Sequence, residues 1–210
     1  MGRIIDVSMD VFSGMLVWPG DDGVDLRRVR TIGRNVHANV SRIRFGVHTG
    51  THVDAPLHFV PGAKSIEQIP LDVLAGPAWV AEFPSRRKIL AEDLEQAGIP
   101  SGTQRLLLKT DNSKILAALK TFREDYAGLD VGGAEWIAAR GIRLVGCDFL
   151  SVAVREQTGP VHDVLLKAEI VIVEGLLLEK APAGACTFYC LPLKLRGSDG
   201  APARAMVEID

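Results

Sequence analysis

Short strand-like segments run the whole length of this chain, separated by turns rich in glycine, proline and aspartate. Helix-like segments interrupt them only three times. That interspersed order restricts the chain to a mixed α/β fold built on a curved, barrel-like sheet. Ile4–Val7 is the first strand, followed by the turn-rich loop Trp18-Pro19-Gly20-Asp21-Asp22. Val24–Ile32 and Val40–Val47 read as further strands. In the latter, Ile43, Phe45 and Val47 alternate with Arg42, Arg44 and Gly46, the period of a half-buried strand. Ala78–Phe83 and Arg105–Lys109 follow. Helices are predicted over Glu92–Ala97 and Ala134–Arg140, each stopped by the next residue, Gly98 or Gly141. The second leads into a strand over Arg143–Cys147. A third helix, Val161–Ala168, precedes the buried strand Glu169–Val173, and Thr187–Leu195 and Ala203–Ile209 alternate as strands again. No linker, repeat or low-complexity tract divides these segments, so residues 1–210 are expected to form a single domain.

A chain of 210 residues with 47% apolar and 24% charged residues has enough core to fold without disulfides or a structural metal. Its three cysteines, Cys147, Cys186 and Cys190, are odd in number and form no C-x-x-C pair, which argues against a disulfide framework. The net charge of −2 lacks the basic footprint of a nucleic-acid binder. Apolar runs such as Ile170–Val173 are far too short to span a bilayer, and the N-terminal stretch has no signal-peptide core. The expected location is the cytoplasm, with neither nucleic acid nor membrane as partner.

The histidines are distributed unevenly. Of five, three fall within positions 48–58, where even scattering would place about 0.26. The segment reads His48-Thr-Gly-Thr-His52-Val-Asp54-Ala-Pro-Leu-His58, and its side chains are of the types that bind divalent metals or move protons. On a straight strand positions 48 and 52 would be about 13 Å apart, too far to share an ion. Thr49-Gly50-Thr51 is poor helix sequence. The chain is therefore expected to turn at Gly50 and fold His48 back towards His52. His52 and Asp54 already project from one side of an extended segment. Pro56 then fixes the exit, and His58 is free to return as a supporting or reacting group. A carboxylate such as Asp54 can bridge two cations, so a second site is expected. His162, near a predicted helix start, and Glu174, at the end of a buried strand, are the candidates. Either residue alone is more often structural; alongside the cluster, metal ligation is the better reading.

The stretch from His48 to Phe59 is similar to the signature of the cyclase superfamily, whose best-known members are bacterial kynurenine formamidases. The likeness extends through Ile5-Asp6-Val7-Ser8, Trp18-Pro19-Gly20-Asp21, Ile142–Asp148, Val173-Glu174-Gly175-Leu176 and Leu191-Pro192-Leu193-Lys194. The resemblance implies a swivelling-type β/β/α domain around a barrel-like mixed sheet, assembled as a homodimer or larger homo-oligomer. It implies that His48, His52 and Asp54 hold a first metal, usually zinc, and that Asp54 bridges to a second held by His162 and Glu174. Manganese or another divalent ion is the alternative. His58 is then the proton donor and acceptor, and Trp18 the aromatic that packs against a small-molecule amide. The implied activity is hydrolysis of a C–N amide bond by metal-activated water. Its specific form is an arylformamidase that converts N-formylkynurenine to kynurenine and formate. The formamidases carry an Asp-Ser-Lys-like stretch shortly before the second-site histidine, whereas this chain has Val154-Arg155-Glu156-Gln157-Thr158. That departure leaves room for a cyclic amide such as an isatin-like ring, or for a lactone. A metal-binding module without turnover would instead show closed coordination.

The remaining motifs carry less. Cys186 and Cys190 lie on a predicted strand as small buried side chains, and no serine sits in a G-x-S-x-G context. Gly132-Gly133 completes no nucleotide-binding motif. His37 and the basic run Arg86-Arg87-Lys88 read as solvated, and residues 9–38 are placed either over the site or in exchange with a neighbouring subunit.

Overall fold

Residues 2–209 are described by a computed structural model; Met1 and Asp210, the two ends of the expected 1–210 domain, lie outside the described residues. The strands are β1 (Arg3–Asp6), β2 (Asp25–Arg30), β3 (Val40–Arg44), β4 (His52–Asp54), β5 (Ala75–Phe83), β6 (Lys88–Ile89), β7 (Arg105–Thr110), β8 (Gly128–Leu129), β9 (Leu144–Cys147), β10 (Val171–Glu174), β11 (Gly184–Pro192) and β12 (Gly200–Ile209). The helices are α1 (Leu71–Leu74), α2 (Ala91–Gln96), α3 (Val131–Ala139) and α4 (Thr158–Lys167). α4 starts three residues before its sequence-based boundary. Pro160 sits in its first turn, where a missing N–H leaves no helical hydrogen bond unmade.

Seven strands close on themselves in the order β12-β11-β5-β7-β9-β10-β4 and back to β12, with β1 added at the outer edge of β12. β5, β7, β9 and β10 run parallel, and β4, β11 and β12 join antiparallel. The expected mixed, barrel-like α/β sheet is therefore the architecture found. The period of two along each strand divides its side chains between two cores. Val53, Val80, Leu107, Val171, Val173, Phe188 and Val207 turn to one cluster, to which all seven barrel strands contribute; this is the barrel interior. Leu106, Leu108, Val145 and Ile172 turn outward beneath α2, α3 and α4, against Leu94, Ile137, Val161 and Leu165. No helix of the described residues is long and apolar enough to cross a membrane.

One expectation from periodicity is corrected. β3 covers Val40–Arg44, and all five of its residues are exposed rather than half-buried. It pairs only with β2, with Leu26 opposite Ile43, and the ribbon they form stands off the barrel. The alternation is present, but nothing among the described residues covers its apolar face: Leu26, Val29, Val40 and Ile43 are all exposed.

Where β4 closes the barrel, two turns pack backbone to backbone. Gly50 takes φ +67° and Gly175 φ +70°. The Thr51 hydroxyl donates to the Gly175 carbonyl at 2.6 Å and accepts from the Met9 N–H at 2.8 Å. A Cβ on residue 175 would lie 2.3 Å from the Gly50 carbonyl oxygen, a rigid neighbour. Gly141, with φ +72°, has nothing within 4 Å of the corresponding position. Alanine at 141 should therefore cost only the backbone strain of about 1–2 kcal/mol. At about 2–4 °C per kcal/mol for a chain of this size, thermal unfolding should show a modest loss for Gly141→Ala and a substantially larger one for Gly175→Ala. Equal losses would contradict the close approach of the two turns.

Candidate metal centre

β4 and β10 are paired with His52 opposite Glu174, Val53 opposite Val173 and Asp54 opposite Ile172. Because Val53 and Val173 point into the barrel, His52, Asp54 and Glu174 point out of it, beneath α4. α4 buries Val161, His162 and Leu165 on the face that meets the sheet, and this brings His162 onto the same spot. The turn at Gly50 supplies the remaining histidine: the His48 and His52 rings lie 5.2 Å apart, edge to face. The structure thus gathers every candidate ligand read from the sequence.

The distances centre on Asp54. Its Oδ1 lies 2.7 Å from His48 Nδ1 and 3.3 Å from His52 Nε2, while its Oδ2 lies 3.8 Å from His162 Nε2. Glu174 Oε1 is 3.2 Å from His162 Nε2 and accepts from the Val152 N–H at 2.7 Å; Oε2 is 3.5 Å from His52 Nε2. Two sets have donor atoms all within 4.8 Å of one another, His48–Asp54–His58 and His52–Asp54–Glu174. Asp54 belongs to both. These sets cut across the division implied by the resemblance, since His58 shares a group with His48 and Asp54.

The chemistry of the donor set fits a divalent cation. Asp54 and Glu174 are 1% and 4% exposed, and among the described residues their only ionic partners are histidines. Burial pushes both carboxyls up, and Asp54 pushes Glu174 further. The neighbouring imidazoles outweigh this and hold both below the ordinary carboxylate range, Asp54 well below it. Burial pushes the imidazoles down, but Asp54 raises His48, Asp54 with Glu174 raises His52 to about 10, and Glu174 raises His162. The side chains hold imidazole protons where an ion would replace them. The hydrogen bonds on the opposite ring nitrogens point the same way. His52 Nδ1–H donates to the Gly50 carbonyl at 2.9 Å, and His162 Nδ1–H donates to the Thr158 carbonyl at 2.7 Å. Each Nε2 is thereby aimed at the carboxylates, the arrangement in which metal-bound histidines are usually held.

A cavity of about 280 Å³ opens over this cluster. His48, His52, His58, His162 and Glu174 form its floor, Trp18, Phe59 and Leu150 its apolar wall, and Asp21, Ser151 and Thr158 its polar edge. Trp18, a candidate from the sequence, is half-buried and edge-on to Phe122, with the Arg155 guanidinium 4.9 Å above its ring. His58 stacks on His48 at 4.0 Å, and Phe59 on His162 at 4.9 Å. Burial lowers His58, helped by the nearby His48 and His162, the opposite direction to the shift of those two neighbours. His37 is exposed. The side chains of the basic run are solvent-exposed, as expected, and form surface ion pairs: Arg86 meets Asp93, and Arg87 and Lys88 meet Glu156.

Sequence reasoning missed Asp199. Its Oδ2 accepts from His48 Nε2–H at 2.7 Å and from His58 Nδ1–H at 3.2 Å. Ser198-Asp199-Gly200 reads only as a turn before a strand, and an aspartate there carries no signal of a distant partner.

Comparison with known proteins agrees with this architecture. Residues 5–154 match the model of the family described as putative cyclase. "Cyclase-like protein 3" of Oryza sativa subsp. japonica is 38% identical over 98% of this chain and 80% of its own length. The kynurenine formamidase of Geobacillus thermodenitrificans is 33% identical over 98% of this chain and 97% of its own. A solved structure described as a potential metal-dependent hydrolase with cyclase activity superposes with a TM-score of 0.85 at 32% identity, covering 100% of this chain and 99% of that one.

A divalent ion that binds the folded chain alone must stabilise it, by about 2.7 kcal/mol when present at 100 times its dissociation constant. Zinc added to metal-free protein should raise the unfolding temperature and release protons into a weakly buffered solution. Asp54→Asn should abolish both effects. A cation response that persists in that variant would remove Asp54 from the centre.

Proposed function

The chain belongs to the putative cyclase family, and on that premise we propose a metal-dependent hydrolase that cleaves the C–N bond of an aryl formamide. The observation that carries this reading is convergence. Two histidine Nε2 atoms fixed by backbone carbonyls meet two buried carboxylates under a cavity that also holds an aromatic wall and the His58 imidazole, whose burial favours its neutral form. His48, His52 and Asp54 would hold one zinc ion, and Asp54, His162 and Glu174 a second. Such ions supply Lewis acidity, polarising a carbonyl oxygen and making water easier to deprotonate.

The chain's own side chains account for the remaining requirements. Trp18 and Phe59 offer apolar faces for an aryl ring, which orients the formyl group towards the floor of the cavity. His58 has its Nδ1 on Asp199, leaving Nε2 to accept a proton from the attacking water and return it to the departing amine nitrogen. A neutral imidazole at working pH can do both. N-formylkynurenine is the specific substrate favoured, supported by the likeness to a kynurenine formamidase.

The exposed ribbon supports a homodimer or larger homo-oligomer. An isolated two-stranded ribbon is marginally stable in water. This one presents Leu26 and Ile43 among Arg27, Arg28, Arg30, Arg42 and Arg44, whereas the whole chain carries −2. A second copy of the chain would cover this apolar face.

Zinc-loaded protein should release formate from N-formylkynurenine, and His58→Ala should retain its metal while losing about 10²–10⁴-fold in rate. Full activity in that variant would remove His58 from the reaction. A panel that cleaves only cyclic amides or lactones would replace the formamide substrate, and no turnover of any member would leave a metal-binding module. Sedimentation equilibrium should give a multiple of 22.7 kDa for the native chain and a smaller assembly for a variant combining Leu26→Lys and Ile43→Lys. A monomeric native protein would overturn the oligomer.

A further inference from the structure

Asp199 is held in place by its backbone before its side chain does anything. Its carbonyl accepts from the Ala55 N–H at 2.9 Å, the Ser198 carbonyl accepts from the Ile66 N–H at 2.9 Å, and Gly200 is in register with Asp54 across β12 and β4. Residue 200 has to be small, because a Cβ there would lie 2.7 Å from His48 Cε1. The barrel closure that places Asp54 therefore also delivers Asp199 to the opposite edge of the His48 ring.

We propose that Asp199 is a positioning residue that sets the tautomers of His48 and His58 together. A neutral imidazole carries its proton on one of two nitrogens, and a carboxylate oxygen can only accept, so the carboxylate selects the tautomer whose N–H faces it. His48 has a carboxylate oxygen 2.7 Å from each ring nitrogen, so where a cation takes the place of the proton shared with Asp54 Oδ1, Asp199 keeps the remaining proton on Nε2 and leaves Nδ1 free to ligate. His58 keeps its proton on Nδ1 and presents the Nε2 lone pair. His52 and His162 receive the same service from the carbonyls of Gly50 and Thr158. Among the described residues, His48 and His58 have no backbone acceptor on either ring nitrogen, so one side-chain oxygen does for this stacked pair what the backbone does for the others. The His58 half of the assignment rests on the hydrolase reading; the His48 half requires only that a cation binds.

Asp199→Asn tests this directly, because it leaves every backbone hydrogen bond in place and removes the charge and the obligatory acceptor. Long-range ¹H–¹⁵N spectra of the zinc-loaded native chain should show His58 protonated on Nδ1 and His48 on Nε2, and the variant should lose that bias. Zinc titration of the metal-free protein should show affinity falling by about 10–100-fold, the usual effect of losing a hydrogen-bond partner behind a ligand. On an aryl formamide, kcat should fall with little change in KM, and Asp199→Glu should recover part of the affinity and of kcat. Native tautomers and native zinc affinity in Asp199→Asn would overturn the proposal. So would a native spectrum with His58 protonated on Nε2, which decides the matter even if the variant fails to fold. If the native chain hydrolyses no formamide, the hydrolase reading falls alone, since the spectra and the titration need no turnover.

Discussion

One three-residue strand closes the barrel, and the chemistry of this protein depends on how it does so. β4 pairs on one side with β10 and on the other with β12, three segments from distant parts of the chain. Its middle residue, Val53, is fully buried in the barrel interior. A slip of one residue would expose Val53 and turn His52 and Asp54 inward, so the apolar core enforces the register that the site needs. The same pairing sets Glu174 opposite His52 and brings Asp199 next to the His48 ring. Packing energy from a valine thus determines the positions of ionisable groups that contribute little to the core themselves.

Two carboxylates buried within a few ångströms of each other repel, and each carries a desolvation penalty. This chain answers with imidazoles rather than lysine or arginine. Lysine and arginine remain cationic near neutral pH and would hold the position permanently, whereas imidazoles can give up their protons to an incoming divalent ion. His58 stands apart from this balance. It shares the stack with His48, yet burial and the two neighbouring imidazoles favour its neutral form, the form that the proposed proton transfer requires.

The local signals read well where a single segment decides the outcome. The helices α2 and α3 end two residues before the glycines expected to stop them, and the chain turns at Gly50. His52 and Asp54 share a face because they are two apart on an extended segment. The β2–β3 ribbon shows where such signals stop. Alternation records that one face of a strand is apolar, but not whether anything covers it, and here the described residues leave it open. Asp199 was illegible for a related reason: its partners lie 141 and 151 positions away, and a turn aspartate has the same local pattern with or without them.

By itself the sequence determined which side chains could take part, because residue type and short spacing fix chemistry and local direction: three histidines and an aspartate around a turn, an aromatic beside a rigid loop, and a carboxylate ending an apolar strand. Only the tertiary structure decided which of them meet. Closing a sheet brings together residues more than a hundred positions apart, and that juxtaposition comes from strand register and core packing, which no local window contains. It also decided that His58 stands with His48 under one carboxylate, because hydrogen bonds form between whatever the fold brings within about 3 Å of each other.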